Sequence, residues 1–345
     1  MEKADLEKEL VSVIMPVYNA EKYIEIALHS LMAQTYQTFE VILVNDGSTD
    51  KSSTLISELI DQDKRFKVLT ITNHGQGYAR HLGIQSATGE YLTFMDSDDI
   101  VAPQWLEVMV TAMQRHHVEM VCVNYAEFLA DINLAYHQNF VPQTLTMAQT
   151  ELYTEWCLDK RFKGFLWNKL FRTESILAHN EIATFTYMED SLLILELLDK
   201  VQSAYFDNQV VYYYRFNPAG TIRSTFKPND LLAIETFEKL ATKIVSNNPQ
   251  FEALFAVRLI KIQLFLLMRM SYQQLKENRQ LLTKFGKLIK LNANSLPLVL
   301  NRLDLWLVKC MRGTMFSFIM LKIRGILIWI QRISRQICGK FQKSV

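Results

Sequence analysis

The first third of the chain alternates short β-branched runs with longer amphipathic stretches, and this alternation limits the fold more than any other feature of the sequence. Strands are predicted at 11–15, 40–44, 66–70, 91–95 and 120–123, with helices between them at 21–33, 51–62, 77–86 and 103–116. Strands that alternate with helices form a mostly parallel sheet covered by helices on both faces. The sequence therefore predicts an α/β fold, in which ligands bind beyond the carboxyl ends of the strands.

The remainder of the chain departs from this alternation. Short loops and one helix are predicted over 164–200, two short strands at 203–206 and 210–214, and helices from 230 almost to the end, with breaks at 247–249 and 294–297. We expect a domain boundary near Lys227–Pro228, which separates a first domain over 1–227 from a helical region over 228–345.

The numbers of basic and acidic residues are balanced over the whole chain, but the basic residues are concentrated near its end. Thirty-seven basic and 36 acidic residues give a net charge of +1, so the chain lacks the overall basic field of a nucleic-acid-binding protein. The last segment, 302–345, holds nine basic residues and one acidic residue, interleaved with aromatic residues such as Trp306 and Trp329. This composition favours an amphipathic tail on an anionic membrane surface. The alternative is a helical subdomain that packs on the first domain or on a second subunit.

The remaining compositional features indicate an intracellular protein. The four cysteines form no C-x-x-C pair and lie in apolar runs, which suits reduced thiols and argues against a structural zinc site. The amino terminus is charged and lacks the apolar core of a signal peptide. The most apolar stretch, 313–330, is interrupted by Lys322 and Arg324, so no transmembrane helix is predicted.

Three acidic clusters lie at or near predicted strand ends or before a helix: Asp46–Asp50, Asp96–Asp99 and Glu189–Asp190. Carboxylates so close together are unfavourable unless a cation or a donor-rich ligand compensates them. The D-x-D sequence of Asp96–Asp98 is therefore a candidate Mg²⁺ or Mn²⁺ site for a nucleotide diphosphate. The alternative is a solvated Asp-rich turn that caps the helix near residue 103.

Five motifs follow one another in the first half of the chain. They are VIMPVYN at 13–19, DGSTD at 46–50, NHGQGYARHLG at 73–83, ATGEY at 87–91 and DSD at 96–98. This ordered set resembles the family 2 glycosyltransferases, whose fold is named GT-A. The resemblance is specific from Val11 to about Trp105, looser to about Thr225, and absent from the helical remainder. It implies a GT-A catalytic domain over 1–227, with a nucleotide-binding half at about 11–123, an acceptor half at about 124–227, and a helical extension after it.

The resemblance also implies a donor site in the loops after the first two strands. It places Tyr18 beside the nucleotide base, with Pro16 and Asn19 in the same loop, and Asp46 on the imino N–H of the base. A carboxylate accepts the N3–H of uracil or thymine, so Asp46 favours UDP-sugars or dTDP-sugars over CMP-sugars. The alternatives are an ordinary loop aromatic for Tyr18 and an Asx-turn residue for Asp46.

For the diphosphate, the resemblance places Asp96 near the ribose and Asp98 on the metal, Mg²⁺ or Mn²⁺. Arg80 follows the glycine-bearing loop and is a candidate diphosphate contact, because its planar fork suits phosphate oxygens. A surface arginine is the alternative for Arg80.

The downstream Glu189–Asp190 pair corresponds in the family to the general base and its neighbour. We assign Asp190 as the base that takes the proton of the acceptor hydroxyl in one in-line, inverting displacement, and Glu189 as its support. An acidic first turn of the following helix is an alternative that is compatible with this role.

Two further segments have less specific signals. Trp167 either stacks on a sugar or belongs to the core, and Arg215 and Arg223 flank a loop that is a candidate cover for the diphosphate. The Q-x-x-R-W motif of processive family members is missing, because 331–336 reads QRISRQ. We therefore expect the addition of one sugar at a time.

Together these features predict an inverting, metal-dependent transferase that moves a sugar from a UDP-sugar to a saccharide or lipid-linked saccharide in cell-surface polysaccharide synthesis. We expect it in the cytoplasm, peripheral on the inner face of the membrane, and an oligomer is compatible with the sequence. One alternative is a nucleotidyltransferase, but its glycine-rich basic loop is replaced here by PVYN at 16–19. The other is a catalytically silent nucleotide-sugar-binding scaffold.

Overall fold

The computed structural model describes residues 7–129, 136–137, 144–176, 188–216 and 226–292. These residues divide into two compact units. The first unit holds the described residues up to Leu152 together with Arg161–Phe216, and the second holds Tyr153–Lys160 with the described residues from Phe226 onward. No pattern in the sequence predicts that Tyr153–Lys160 belongs with the C-terminal helices, and the boundary near Lys227–Pro228 stays a prediction. The basic tail at 302–345 lies outside the described residues.

The first unit is built on one sheet. Its strands are β1 (Glu7–Val17), β2 (Phe39–Asp46), β3 (Phe66–Ile71), β4 (Gly89–Phe94), β5 (Ile100–Val101), β6 (Met120–Phe128), β7 (Tyr136–His137), β8 (Leu145–Ala148), β9 (Lys169–Arg172) and β10 (Ser203–Arg215). The strand order is β3-β2-β1-β4-β9-β6-β10-β5, with β7 paired to β6 and β8 paired to β10. β1 to β4 pair in parallel, and β6 and β10 pair in parallel. β9 runs antiparallel between β4 and β6, so the long strands all point the same way.

The burial of the strands follows their place in this order. Every residue of β2, in the interior of the sheet, is buried. β3 lies at the edge of the sheet, and only Phe66 of its six residues is buried, as expected of an edge strand in contact with solvent.

The helices described in the first unit are α1 (Ile24–Met32), α2 (Ser52–Ile60), α3 (Gln76–Ser86), α4 (Trp105–His116), α6 (Thr173–Ile176) and α7 (Glu189–Leu198). α5 (Gln149–Leu158) starts in the first unit and ends in the second. α1 buries Ile24, Ala27, Leu28 and Leu31 on one face, which is the spacing of an amphipathic helix. α3 packs so closely on β1 that a Cβ at Gly83 would stand 2.4 Å from Cγ2 of Ile14. The predicted α/β alternation between 11 and 123 is confirmed.

The second unit contains α8 (Asp230–Asn247), a 3-10 turn at Pro249–Phe251, α9 (Glu252–Arg269), α10 (Tyr272–Glu277) and α11 (Arg279–Leu291). Its core includes Trp156 stacked at 6.0 Å on Phe237. The guanidinium of Arg258 lies 4.7 Å from the centre of the Trp156 ring. The predicted break at 247–249 is confirmed, whereas the one at 294–297 lies outside the described residues. None of the helices in the described part of the chain has the length and apolarity needed to cross a bilayer.

Several described elements differ from the sequence prediction. The short elements β5, β7, β8, β9 and α6 and the helix α5 were not predicted. The two short strands expected at 203–206 and 210–214 are one strand, β10, whose register with β6 shifts between Asp207 and Tyr212. Polar residues at this irregularity resemble a turn in the sequence, although the strand continues through it. Cys122 and Cys157 are free and buried.

Candidate active site

The predicted site residues come together at the carboxyl edge of the sheet. In the register of β1 and β2, Pro16 lies opposite Val44 and Val17 lies opposite Asn45, so both strands end at one level. The loops that follow β1, β2 and β4 therefore open on the same side, and the first turn of α7 reaches them through Arg80. This is the edge at which open α/β sheets bind ligands.

Asn19 joins the first two of these loops. Its backbone N–H donates to Oγ of Ser48 at 3.1 Å, and its Oδ1 accepts from the backbone N–H of Thr49 at 2.8 Å. Asn19 has a positive φ of 49°, which asparagine tolerates better than most residues. The side chain of Asn19 thus shapes the loop, and the adjacent Tyr18 is 52% exposed and accessible to a ligand.

Asp46 ends β2 and is 3% exposed. Its Oδ1 accepts the backbone N–H of His74 at 2.7 Å, and its Oδ2 accepts that of Gly75 at 2.8 Å. These charge-assisted bonds fix the loop before α3 to the end of β2. Each carboxylate oxygen keeps a further lone pair for a ligand N–H.

Gly47 allows this connection to form. Its φ is +68°, and a Cβ there would lie 2.8 Å from the backbone nitrogen of Asn73. Any larger residue would therefore clash with the loop that Asp46 holds.

Arg80, on α3, lies at the centre of a buried ion network. Its Nη2 donates to Oδ1 of Asp96 at 2.9 Å, and its Nη1 donates to Oε1 of Glu189 at 3.1 Å and to Oδ1 of Asp190. Burial alone lowers the pKa of Arg80, but Asp190, Asp96 and Glu189 outweigh it, so the pKa is raised and the guanidinium is charged. Gln76, at the start of α3, also donates to Asp96 at 3.0 Å.

Asp190 is in the first turn of α7 and retains about a fifth of its side-chain exposure. Burial raises the pKa of its carboxyl to about 7, Arg80 and Lys169 oppose the rise, and Glu189 adds to it. The start of α7 is positioned by close packing, because a Cβ at Gly164 would lie 2.4 Å from Oγ of Ser191. The arrangement gives one carboxylate that changes its charge near neutral pH.

The D-x-D loop is anchored by Asp99, the aspartate that follows it, and by Arg215. Asp99 is buried, and its carboxylate accepts from the Tyr212 hydroxyl at 2.6 Å and from the backbone N–H of Arg215 at 2.7 Å. Nε of Arg215 donates to the carbonyl of Asp98 at 2.7 Å. Arg215 is therefore part of the support of this loop, whereas Arg223 lies outside the described residues.

The residues present fit a divalent cation at Asp98. Burial, and then the charge of Asp96, raise the pKa of the Asp98 carboxyl to about 6, and a cation would relieve this repulsion. No group of three or more His, Cys, Asp or Glu side chains suitable for a metal occurs among the described residues. Mg²⁺ needs only one or two protein carboxylates when substrate phosphates and water complete its coordination.

Of the two interpretations of Trp167, the structure supports the core residue. Trp167 is 3% exposed and stacks on Tyr212 at 4.5 Å, on Phe165 at 4.9 Å and on Tyr214 at 5.5 Å. It has no free face for a sugar.

Lys169 is the main polar residue near the site that the sequence did not reveal. Its ammonium is fully buried and donates to the carbonyls of Lys163 and Phe165 and to Oδ1 of Asn168. Burial lowers the pKa of Lys169 to about 8, against the opposing effects of Cys122 and Asp190. Lys169 organises the loop that contains Gly164 and thereby supports the start of α7. The sequence signal for this role is the position of Lys169 in the mostly apolar run FLWNKLF at 165–171.

Comparison with known proteins identifies the family. The model of the family described as "Glycosyl transferase family 2" matches residues 12–179. EpsH of Bacillus subtilis (strain 168), named a glycosyltransferase, is 31% identical over 247 residues, which cover 70% of this chain and 71% of EpsH. Glycosyltransferase GlyG of Streptococcus pneumoniae serotype 4 is 40% identical over 121 residues, or 35% of this chain and 40% of GlyG. The chain belongs to glycosyl transferase family 2.

Solved structures confirm the fold. The crystal structure of S. aureus TarS 1-349 in complex with UDP-GlcNAc has a TM-score of 0.65 at 22% sequence identity, and the similarity covers 90% of this chain and 89% of that one. The corresponding complex with UDP has a TM-score of 0.64. The predicted GT-A fold with a helical C-terminal region is thereby confirmed.

Proposed function

We propose that this protein transfers a single sugar from a UDP-sugar to a saccharide or lipid-linked saccharide acceptor, with inversion at the anomeric carbon. The observation that carries this proposal is the Arg80 network, in which one guanidinium joins the donor-side Asp96 to Asp190. The residue proposed to lie near the donor and the residue proposed to activate the acceptor thus bind the same guanidinium.

The donor site is formed by Tyr18 and Asp46. Exposed Tyr18 offers an aromatic face to the base, and Asp46, fixed by two backbone N–H groups, offers oxygen lone pairs to an imino N–H. Uracil and thymine have this N–H, whereas cytosine lacks it. The TarS complexes with UDP-GlcNAc and UDP support a UDP-sugar as the donor.

Asp190 acts as the general base. Its carboxylate accepts the proton of the acceptor hydroxyl while the hydroxyl oxygen attacks the anomeric carbon and the nucleoside diphosphate leaves from the opposite face. A pKa of about 7 suits this task, because about half of the carboxyl groups are then ionised at pH 7 and the carboxylate is basic enough to take a proton. A divalent cation held by Asp98 would neutralise charge on the departing diphosphate.

The setting is the synthesis of a cell-surface polysaccharide at the inner face of the membrane. The basic, aromatic-rich segment 302–345 supports this location, since such segments bind anionic lipid surfaces. The acceptor is a saccharide, free or linked to lipid.

The test is a donor panel. UDP-, dTDP-, GDP- and CMP-sugars are each incubated with the full chain, Mn²⁺ and saccharide acceptors, and the released nucleotide diphosphate is measured with and without EDTA. We expect EDTA-sensitive release of UDP, and dTDP as the second choice. Tight binding of UDP-sugars without any transfer would favour the silent scaffold, and pyrophosphate release from a nucleoside triphosphate and a sugar phosphate would favour the nucleotidyltransferase.

A variant of Tyr18, the residue proposed to stack on the nucleotide base, makes this test more specific. Tyr18→Ala removes stacking worth about 1–3 kcal/mol, so UDP should bind about 5- to 150-fold more weakly. The melting temperature should stay the same because Tyr18 is exposed. Tyr272→Ala, at an exposed tyrosine of α10, is the matched control and should leave UDP binding unchanged. Equal UDP affinity in the wild type and in Tyr18→Ala would remove Tyr18 from the site.

A further inference from the structure

Arg80 joins parts of the chain that are far apart in sequence. Asp96 follows β4, and Glu189 and Asp190 open α7, more than a hundred residues beyond Arg80. The two Nη atoms bind different carboxylates: Nη2 binds the donor-side Asp96, and Nη1 binds the Glu189–Asp190 pair. The guanidinium is therefore a physical link between the donor side and the base side.

The surroundings of Arg80 argue against a direct diphosphate contact. Its side chain is 4% exposed, and both Nη atoms already donate to carboxylates. Its Nε is buried without a hydrogen-bond partner among the described residues. Three carboxylates surround the guanidinium, so a diphosphate that approached it would be repelled by their charges.

We propose that Arg80 is a positioning residue of the transfer reaction, whose guanidinium fixes the carboxylate of Asp190 relative to the donor-side Asp96. This inference rests on the proposed role of Asp190 as the base. It replaces the diphosphate contact predicted from the sequence with a role that acts through Asp190.

The geometry explains why an arginine is needed. The guanidinium is a planar fork with donors on separate nitrogens, so it binds two carboxylate groups in two directions at once. The ammonium of a lysine is a single point charge on a flexible chain, so it orients the two carboxylate groups less firmly than a guanidinium does. Misplacement of a reacting group by about 1 Å costs about 10²-fold in rate, and a lysine at position 80 should show a loss of that order.

Arg80 also affects the charge of Asp190. The charged groups around Asp190 are Arg80 on α3, Glu189 on α7, Asp96 after β4 and Lys169 on β9. Arg80 is the cation in direct contact, so its loss leaves Asp190 beside two like charges. Asp190 should then lose its proton only at higher pH, and the acidic limb of the pH–rate profile should move upward.

The experiment compares Arg80→Lys and Arg80→Ala with the wild type in the full chain, with UDP-GlcNAc as the first donor tested and the best donor of the panel thereafter. Arg172→Ala is the matched control, since Arg172 forms an ion pair with Glu90 at 2.9 Å near the other end of β4. Three quantities are measured: kcat, the Kd for donor, and the pH dependence of kcat. Circular dichroism and melting temperature report whether each variant folds.

We expect Arg80→Lys to lower kcat about 10²-fold with the donor Kd nearly unchanged. Arg80→Ala, which removes the cation beside Asp190, should also shift the acidic limb of the profile upward. Added guanidinium ion should restore part of the activity of Arg80→Ala, which a merely structural role would not produce. Arg80→Lys combined with Asp190→Asn should be no slower than Asp190→Asn alone, because a positioning residue has nothing left to position.

Three results would overturn the inference. The first is a donor affinity that falls by the same factor as kcat, which indicates a diphosphate contact. The others are a wild-type kcat in Arg80→Lys, and a rate loss in the double variant equal to the product of the losses from Arg80→Lys and Asp190→Asn. If Arg80→Ala does not fold, Arg80→Lys and the double variant still test whether Arg80 positions Asp190. A wild-type protein that transfers no sugar would instead refute the proposed function itself.

Discussion

Replacing the proposed base should make the protein more stable at alkaline pH. Asp190→Asn keeps the shape of the side chain and removes its charge, while Arg80 keeps Asp96 and Glu189 as partners. In the folded protein burial raises the pKa of Asp190 from its ordinary value of 3.8 to about 7. The carboxylate of Asp190 is thus a source of instability that the reaction requires.

The sign and the size of the stability change follow from the linkage between proton binding and folding. Between the two pKa values the folded state binds more protons than the unfolded state, so the contribution of Asp190 to the free energy of unfolding falls as the pH rises. Each pKa unit is worth about 1.4 kcal/mol, which gives an upper limit of about 4 kcal/mol above neutral pH. Partial exposure of Asp190 and its interaction with Glu189 reduce the expected cost to about 1–3 kcal/mol.

The assay is thermal unfolding of the full chain across this pH range. Asp190→Asn should melt about 2–10 °C above the wild type near pH 8, and the difference should shrink toward pH 5. Asp61→Asn, at an exposed aspartate directly after α2, is the control and should show no such trend. A variant that melts below the wild type near pH 8, or a gain that does not change with pH, would refute the reasoning.

Three further outcomes follow from other parts of the molecule. Asp98→Asn should abolish EDTA-sensitive transfer and weaken UDP binding in Mn²⁺ without lowering the melting temperature; undiminished metal-dependent UDP affinity would remove Asp98 from the site. Gly47→Ala should destabilise the protein by about 1–3 kcal/mol, since position 47 has φ +68° and no room for a Cβ. The control Gly286→Ala, on α11 with nothing within 4 Å, should stabilise it by about 0.5–1 kcal/mol in urea unfolding. Deleting 302–345 should abolish sedimentation with anionic vesicles while transfer to a soluble acceptor continues, and an intact chain that ignores both neutral and anionic vesicles would contradict the membrane role of this segment.

The alternation between 11 and 123 was predictable because its signals are local. Hydrophobic periodicity and turn residues fix each element within about ten residues, and parallel pairing follows from the order of strands and helices. The edge where a ligand is expected follows from the same order, which is why Asp46 and Asp96 were expected together.

The elements that were missed depend on distant partners. β9 is only four residues long, reads KLFR, and pairs with β4 about 80 residues earlier. β10 continues through Asp207 and Asn208, residues typical of turns, because its two ends both pair with β6.

The environment of Arg80 was unpredictable for the same reason. The local sequence suggested a phosphate contact or a surface position, whereas the folded chain brings three carboxylates to it from 16, 109 and 110 residues away. Likewise, nothing near Lys169 in the sequence indicates that two backbone carbonyls and Asn168 surround its ammonium. Buried polar contacts of this kind are set by tertiary structure.

The most direct test of the proposed mechanism is the single-turnover rate of Asp190→Asn with saturating UDP-sugar and acceptor, measured alongside the Kd for donor. The proposed role predicts a rate about 10²- to 10⁴-fold below the wild type with donor affinity nearly unchanged, because only proton acceptance is lost. A rate equal to that of the wild type, or a donor affinity that falls in step with the rate, would contradict the assignment of Asp190 as the base.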